Sequence, residues 1–274
     1  MWTYCLRAHL NLLEVKELSA CHERIIRSLL SSFQSAMAAG LLAESLFSDL
    51  ISLLNSMSLT DDAARVADEA VKRYPSSHHL WFAKLQLVAL DGDDEALVSC
   101  LKAAQRRVPP AQSWTIVEFT LKQLASRQSP DLEELLQEAC RSSAREVCCP
   151  AKVWKLHWAF RQGSLKKFRS AYSSLKTMRP VDLDFYRLYI EKECAQGDPN
   201  LPLIRSCFEE SLSEFGLNEP DLWLNYMVME RKVAKDGVKA GVVQERALRG
   251  LDAHLKETFI RKQMMLGLGW ESSQ

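Results

Sequence analysis

The chain has 274 residues, 47% of them hydrophobic, with 35 Lys plus Arg balancing 35 Asp plus Glu. The apolar fraction excludes wholesale disorder, and a formal net charge of zero excludes the generalised basic surface that grips nucleic acid electrostatically. Ten Gly and nine Pro are too few for a turn-rich sheet protein, whereas long stretches of Ala, Leu, Glu, Lys, Arg and Ser favour helix.

Helices are predicted over residues 1–16, 21–39 and 41–57, with Gly40 as a corner. Charged Arg7, Glu14, Lys16 and Glu17 break the apolar stretch from Met1 to Ala20, so it does not read as an export signal. No later run reaches the roughly 18 to 20 uncharged apolar residues of a membrane-spanning helix. Thr60, a good N-cap residue, precedes Ala63, Val66, Ala67, Ala70, Val71 and Tyr74, which share one helix face. Aromatic residues then recur: Trp81, Trp114, Trp154, Phe185 and Trp223 are 33, 40, 31 and 38 residues apart. A proline precedes each by a few residues, at Pro75, Pro109, Pro150, Pro180 and Pro220. Proline breaks one helix and pre-sets the start of the next, so each unit reads as an aromatic-opened helix, a turn, a second helix and a proline corner. The second helices carry their own stripes: Leu132, Leu135, Leu136, Ala139 and Cys140; Leu165, Phe168, Tyr172 and Leu175; Leu201, Ile204, Phe208, Leu212 and Phe215.

A helix pair of this kind buries its stripes only by stacking on its neighbours. The expected fold is all-α, a right-handed α-solenoid of stacked antiparallel helix pairs. Residues 1–59 read as divergent repeats and residues 60–274 as the main array, together one continuous solenoid. Trp2 lies 79 residues before Trp81, two periods of about 40. The sequence thus reads as opening inside a repeat, and Trp2, Leu6, Leu10 and Leu13 are expected to form an uncapped stacking face.

One copy of the unit is especially legible. Trp223, Tyr226 and Glu230 form Trp-x2-Tyr-x3-Glu on one helix face, and the preceding helix carries Ile204-Arg205-x2-Phe208-Glu209-x2-Leu212. Together these resemble the half-a-tetratricopeptide (HAT) repeat of RNA-processing proteins. The other copies depart from it: Trp81 is followed by Lys84 and Val88, Trp114 by Val117 and Leu121, Trp154 by His157 and Arg161. A wider string is more specific. It runs from Phe168-x3-Tyr172-x2-Leu175-x3-Arg179-Pro180 through Leu183-Asp184-Phe185-Tyr186 and Ile190-Glu191-Lys192-Glu193 to Asp221-Leu222-Trp223. It resembles the C-terminal half of the HAT-repeat family among the small nucleolar RNA-associated proteins of the small-subunit processome.

The resemblance implies a scaffold of the nucleus and nucleolus, held among WD-repeat propeller proteins and supporting pre-ribosomal RNA processing without catalysing it. Small nucleolar RNA and pre-rRNA would be engaged mainly through partners; no membrane, cofactor, metal or small-molecule substrate is expected. A HAT scaffold of mRNA splicing or 3′-end processing, and a helical regulatory domain of an enzyme, are the alternatives. Hydrolase, phosphate-loop and zinc-protease motifs are absent from the sequence. Gly267-Leu268-Gly269 has no phosphate-binding context, and Asp61-Asp62 and the cluster from Asp91 to Glu95 suit helix starts better than a metal. The eight cysteines are scattered without a C-x-x-C pair and read as reduced packing residues. The basic runs Arg106-Arg107, Lys166-Lys167-x-Arg169 and Arg231-Lys232 read as solvated helix faces, and the aromatic positions Trp81, Trp114, Trp154, Phe185, Trp223 and Tyr226, with Glu230, as repeat core.

Overall fold

The computed structural model describes residues 22–38, 40 and 42–271. The first expected helix, with Trp2, Leu6, Leu10 and Leu13, lies outside the described residues. Among the described residues there are fourteen helices and no strand. In chain order they are α1 (His22–Ala38), α2 (Glu44–Ser56), α3 (Thr60–Arg73), α4 (His78–Leu90), α5 (Asp94–Gln105), α6 (Pro110–Ser126) and α7 (Asp131–Cys140). Then follow α8 (Arg145–Arg161), α9 (Leu165–Leu175), α10 (Leu183–Cys194), α11 (Leu201–Phe215), α12 (Pro220–Lys232), α13 (Gly237–Gly250) and α14 (Ala253–Glu271). The chain divides into two compact units, residues 1–148 and 149–274.

Within the first unit α2 packs on α3 and α4, α4 on α5 and α6, and α6 on α5 and α7. Within the second, α10, α11 and α12 pack in succession, and α12 also packs on α13 and α14. Within these runs consecutive helices touch, and α2 with α4, α4 with α6 and α12 with α14 touch as well, which is how stacked helix pairs bury a continuous core. The two kinds of helix differ accordingly. α3 meets neighbours along one stripe, and Ala63, Val66, Ala67, Ala70 and Val71 are its buried residues. α12 is enclosed on several sides and buries Leu222, Trp223, Leu224, Tyr226, Met227, Met229 and Glu230, as a helix that is apolar nearly all round must.

Local chemistry sets the corners. Ser77, Asp93, Ser164, Asn200 and Asp236 cap α4, α5, α9, α11 and α13 by accepting the backbone N–H three residues on. Gly92 and Gly163 hold φ of 77° and 72° in the turns leading into α5 and α9, a conformation that costs a residue with Cβ. Asp61 and Asp62 lie in the first turn of α3, and Asp94 and Glu95 in that of α5, where carboxylates oppose the positive end of the backbone dipole.

Some boundaries differ from expectation. Thr60 is the first residue of α3, Leu59 occupies the cap position and no side chain caps it. Pro150 lies inside α8, which begins at Arg145, so that corner falls earlier and Trp154 is in mid-helix. Gly267 and Gly269 belong to α14 and so form no loop.

Candidate protein-binding repeat and its polar clasps

The geometry of α12 starts from its spacing. Trp223 and Tyr226, at offsets 0 and 3, face the same way as Glu230 at offset 7. The indole N–H of Trp223 donates to the Gly216 carbonyl at 2.8 Å, fastening the helix start to the corner before it. Tyr226 stacks on Phe208 of α11, with ring centroids 4.5 Å apart and planes within 5°. Glu230 is 0% exposed. A bare carboxylate there would be costly, and Arg205 of α11 meets it with two bonds, Nε to Oε1 at 2.7 Å and Nη2 to Oε2 at 2.8 Å. This fork-to-fork geometry is the strong form of a charge-assisted bond, and it raises the Arg205 pKa.

The same device recurs one repeat earlier, away from the Trp-x2-Tyr-x3-Glu copy of α12. In α10, Tyr186, Tyr189 and Glu193 have the offsets 0, 3 and 7, with Tyr186 at the fourth place of its helix, as Trp223 is of α12. Glu193 is also 0% exposed. Arg169 of α9 reaches it through Nε, 3.2 and 3.1 Å from the two carboxylate oxygens, and through Nη2. Tyr189 stacks on Tyr172 of α9 with centroids 3.8 Å apart. Arg169 with Tyr172 thus corresponds to Arg205 with Phe208. Tyr-x2-Tyr-x3-Glu was the available signal, hidden because Phe185 stands beside Tyr186 and carries a regular aromatic spacing of its own. Phe185 is fully buried and stacks on Tyr172 at 5.4 Å.

The remaining aromatic positions divide. Trp81 of α4 is 6% exposed, and its indole donates to the Pro75 carbonyl at 2.8 Å. Trp114 and Trp154 are only half-buried, and Trp154 stacks on Trp158 at 5.6 Å. At the fourth place of α6 stands Ser113, buried, with its hydroxyl turned to the Pro109 carbonyl at 3.0 Å.

Cations reinforce the corner indoles. Lys84 lies 5.5 Å over the Trp81 ring and pairs with Asp68 of α3 at 2.8 Å. Arg246 of α13 lies 5.6 Å over Trp223 and holds Glu209 of α11 through two bonds of 2.7 and 2.6 Å. Tyr226 donates its hydroxyl to the same Glu209. The Arg246 guanidinium, as the largest cause, pulls the Glu209 carboxyl below its ordinary range. Three helices, α11, α12 and α13, are therefore joined by one polar network.

The basic runs separate likewise. Arg106, Arg107, Lys166 and Lys167 are exposed, as are Arg231 and Lys232, but Arg169 is committed to Glu193. Lys152 of α8 is buried and donates to the Pro180 carbonyl at 2.6 Å. Burial pushes the Cys194 thiol up to about 11 and Cys207 to about 12, so both stay protonated at neutral pH and pack as small apolar groups. His157 is shifted down by partial burial, and His78 contacts Gln112 at 3.0 Å on the surface.

The family model described as U3 small nucleolar RNA-associated protein 6 C-terminal matches residues 1–251. The chain is 26% identical over 245 residues to the mouse U3 small nucleolar RNA-associated protein 6 homolog, covering 89% of this chain and 41% of that protein. It is 26% identical to the human homolog, over 85% of this chain and 39% of that one. The Dictyostelium discoideum homolog is 25% identical, over 84% and 36%. The chain spans about two fifths of the length of these curated relatives.

Proposed function

The chain belongs to the U3 small nucleolar RNA-associated protein 6 C-terminal family, and from that membership we propose that it is a non-catalytic HAT-repeat scaffold of the small-subunit processome. In this reading it supports pre-18S ribosomal RNA processing in the nucleolus through contacts with processome proteins, WD-repeat propellers among them. Small nucleolar RNA and pre-rRNA are reached mainly through those partners. Residues 60–274 serve as the HAT array and residues 1–59 as divergent repeats of one solenoid. Trp81, Trp114, Trp154, Phe185, Trp223, Tyr226 and Glu230 act as its framework positions.

The observation that carries this reading is the duplicated clasp. Arg169–Glu193 and Arg205–Glu230 bury each carboxylate against the guanidinium of the preceding helix. The charged groups of the motif are spent on holding helices in register, which suits a framework presenting surfaces and leaves them no role in turnover. The surface charge is mixed, with exposed basic runs of two residues, too short for a salt-resistant nucleic-acid groove.

Affinity purification of the tagged full chain from nuclear extract tests this. Co-purification of processome proteins that persists after ribonuclease treatment, with U3 RNA lost by that treatment, is the expected result. Absence of processome proteins, or U3 RNA retained by the purified chain alone in 0.3 M salt, would refute it.

A further inference from the structure

The packing of α12 on α14 shows which places of such a helix meet a neighbour. Leu224, Met227, Val228 and Arg231, at places five, eight, nine and twelve of α12, line one side of the groove between the two helices. Gln263, Leu266 and Gly267 of α14 line the other side. The same four places of α14 hold Glu257, Ile260, Arg261 and Met264. All four are exposed, Ile260 by 39% and Met264 by 64%. α14 thus repeats the packing face of α12 and leaves it uncovered among the described residues.

Helix geometry gathers that face into one stripe. At about 100° per residue, Ala253, Glu257, Ile260, Arg261 and Met264 lie within about 100° of one another, turned away from fully buried Phe259. Ala253 is exposed as well. Lys262 lies outside the stripe, bound to Asp221 of α12 at 2.6 and 2.7 Å. Half-buried Lys256 and exposed His254 stand at its margins. Glu257 and Arg261 have no ion-pair partner among the described residues.

Along the helix the stripe runs small, acidic, apolar, basic, large: Ala253, Glu257, Ile260, Arg261, Met264. Turned end for end, it is its own complement, the property a two-fold contact between identical chains requires. With the axis between Phe259 and Ile260, Met264 of each copy meets Ala253 of the other, and Arg261 of each meets Glu257 of the other. The two Ile260 side chains meet beside the axis. At 1.5 Å rise per residue every one of these pairs falls within about 2 Å of direct opposition along the helix. A partner helix of one sign would instead set a like charge against either Glu257 or Arg261. We propose that this face of α14 docks a second copy of the chain, in an antiparallel α14–α14 contact. Its apolar residues supply the attraction, and the two Glu–Arg pairs fix the register.

Sedimentation equilibrium of the full chain tests it. One helix face buries less than about 1,200 Å², the weak and transient class of interface. A monomer–dimer equilibrium is therefore expected between about 10 and 500 μM. Glu257→Arg and Arg261→Glu each set like charges across the axis, and each should weaken dimerisation at least about tenfold. Mixing the two variants should restore it, because a chain with two arginines there matches a chain with two glutamates. A chain monomeric over the whole range, leaving the face to a different protein, overturns the proposal. Association that neither variant changes places the contact elsewhere and overturns it too, as do variants that remain monomeric when mixed. Both positions are exposed, so both variants should keep the helical circular dichroism of the unaltered chain. Should either not fold, Ile260→Cys decides: under mild oxidation a disulfide joining two copies at that position, found by peptide mass spectrometry, supports the contact. Its absence overturns it.

Discussion

Glu230 is 0% exposed, and replacing Arg205 by Ala removes both of its guanidinium bonds, at 2.7 and 2.8 Å. Breaking a buried pair from one side costs about 3 to 5 kcal/mol, because the orphaned charge has lost its solvation and gained nothing. For a chain of this size that is a fall in Tm of about 6 to 20 °C, at about 2 to 4 °C per kcal/mol. Arg205 is itself about a quarter exposed, so truncating it opens some access to water and places the cost toward the lower end. Removing both charges, in Arg205→Met with Glu230→Leu, should recover most of the loss, since well-packed apolar groups often replace an ion pair at no net cost. Urea unfolding followed by circular dichroism, with m compared between variants, gives both values and their coupling. A single-variant loss under about 1 kcal/mol, or a double variant as unstable as Arg205→Ala, would refute the reading of the clasp as a buried, register-setting pair.

Trp223→Ala should cost about 3 to 5 kcal/mol, whereas half-buried Trp114→Ala should cost less than half as much by the same denaturation assay; equal losses would contradict their different environments. The Glu209 carboxyl is held below its unfolded value by Arg246, so its contribution is present above about pH 4.3 and is lost as pH falls through the lower folded value. Tm measured from pH 6 down to 3 should therefore fall less steeply in Arg246→Ala than in the unaltered chain. With their thiols raised to about 11 and about 12, Cys194 and Cys207 should react with a disulfide reagent at pH 8 only on unfolding, read by mass spectrometry of modified peptides.

How far the fold is legible follows from how local each signal is. The stripe from Ala63 to Val71, and those of α7 and α11, depend on spacing along one helix, and these helices bury one face only. Their period appears in the residues directly. α10 is enclosed by neighbours and carries Phe185, Tyr186, Tyr189 and Ile190, all buried, so several phases of the repeat look equally good. The motif at Tyr186 was in plain spacing, yet its phase is decided by which ring stacks on Tyr172.

By itself the sequence determined that this chain is helical, that its helices come in pairs at a spacing of 31 to 40 residues, and that Trp223, Tyr226 and Glu230 share a face. Tertiary structure alone decided which charges are spent. Arg169 stands in a basic run with Lys166 and Lys167, and only the placement of Glu193, 24 residues on and wholly buried, separates it from its solvated neighbours. It likewise decided that Ser113 rather than Trp114 stands at the corner of α6 and that α8 begins ahead of Pro150. Periodicity is a property of one helix, whereas burial and pairing are properties of where two helices meet, and a shift of one residue turns a side chain through about 100° between them.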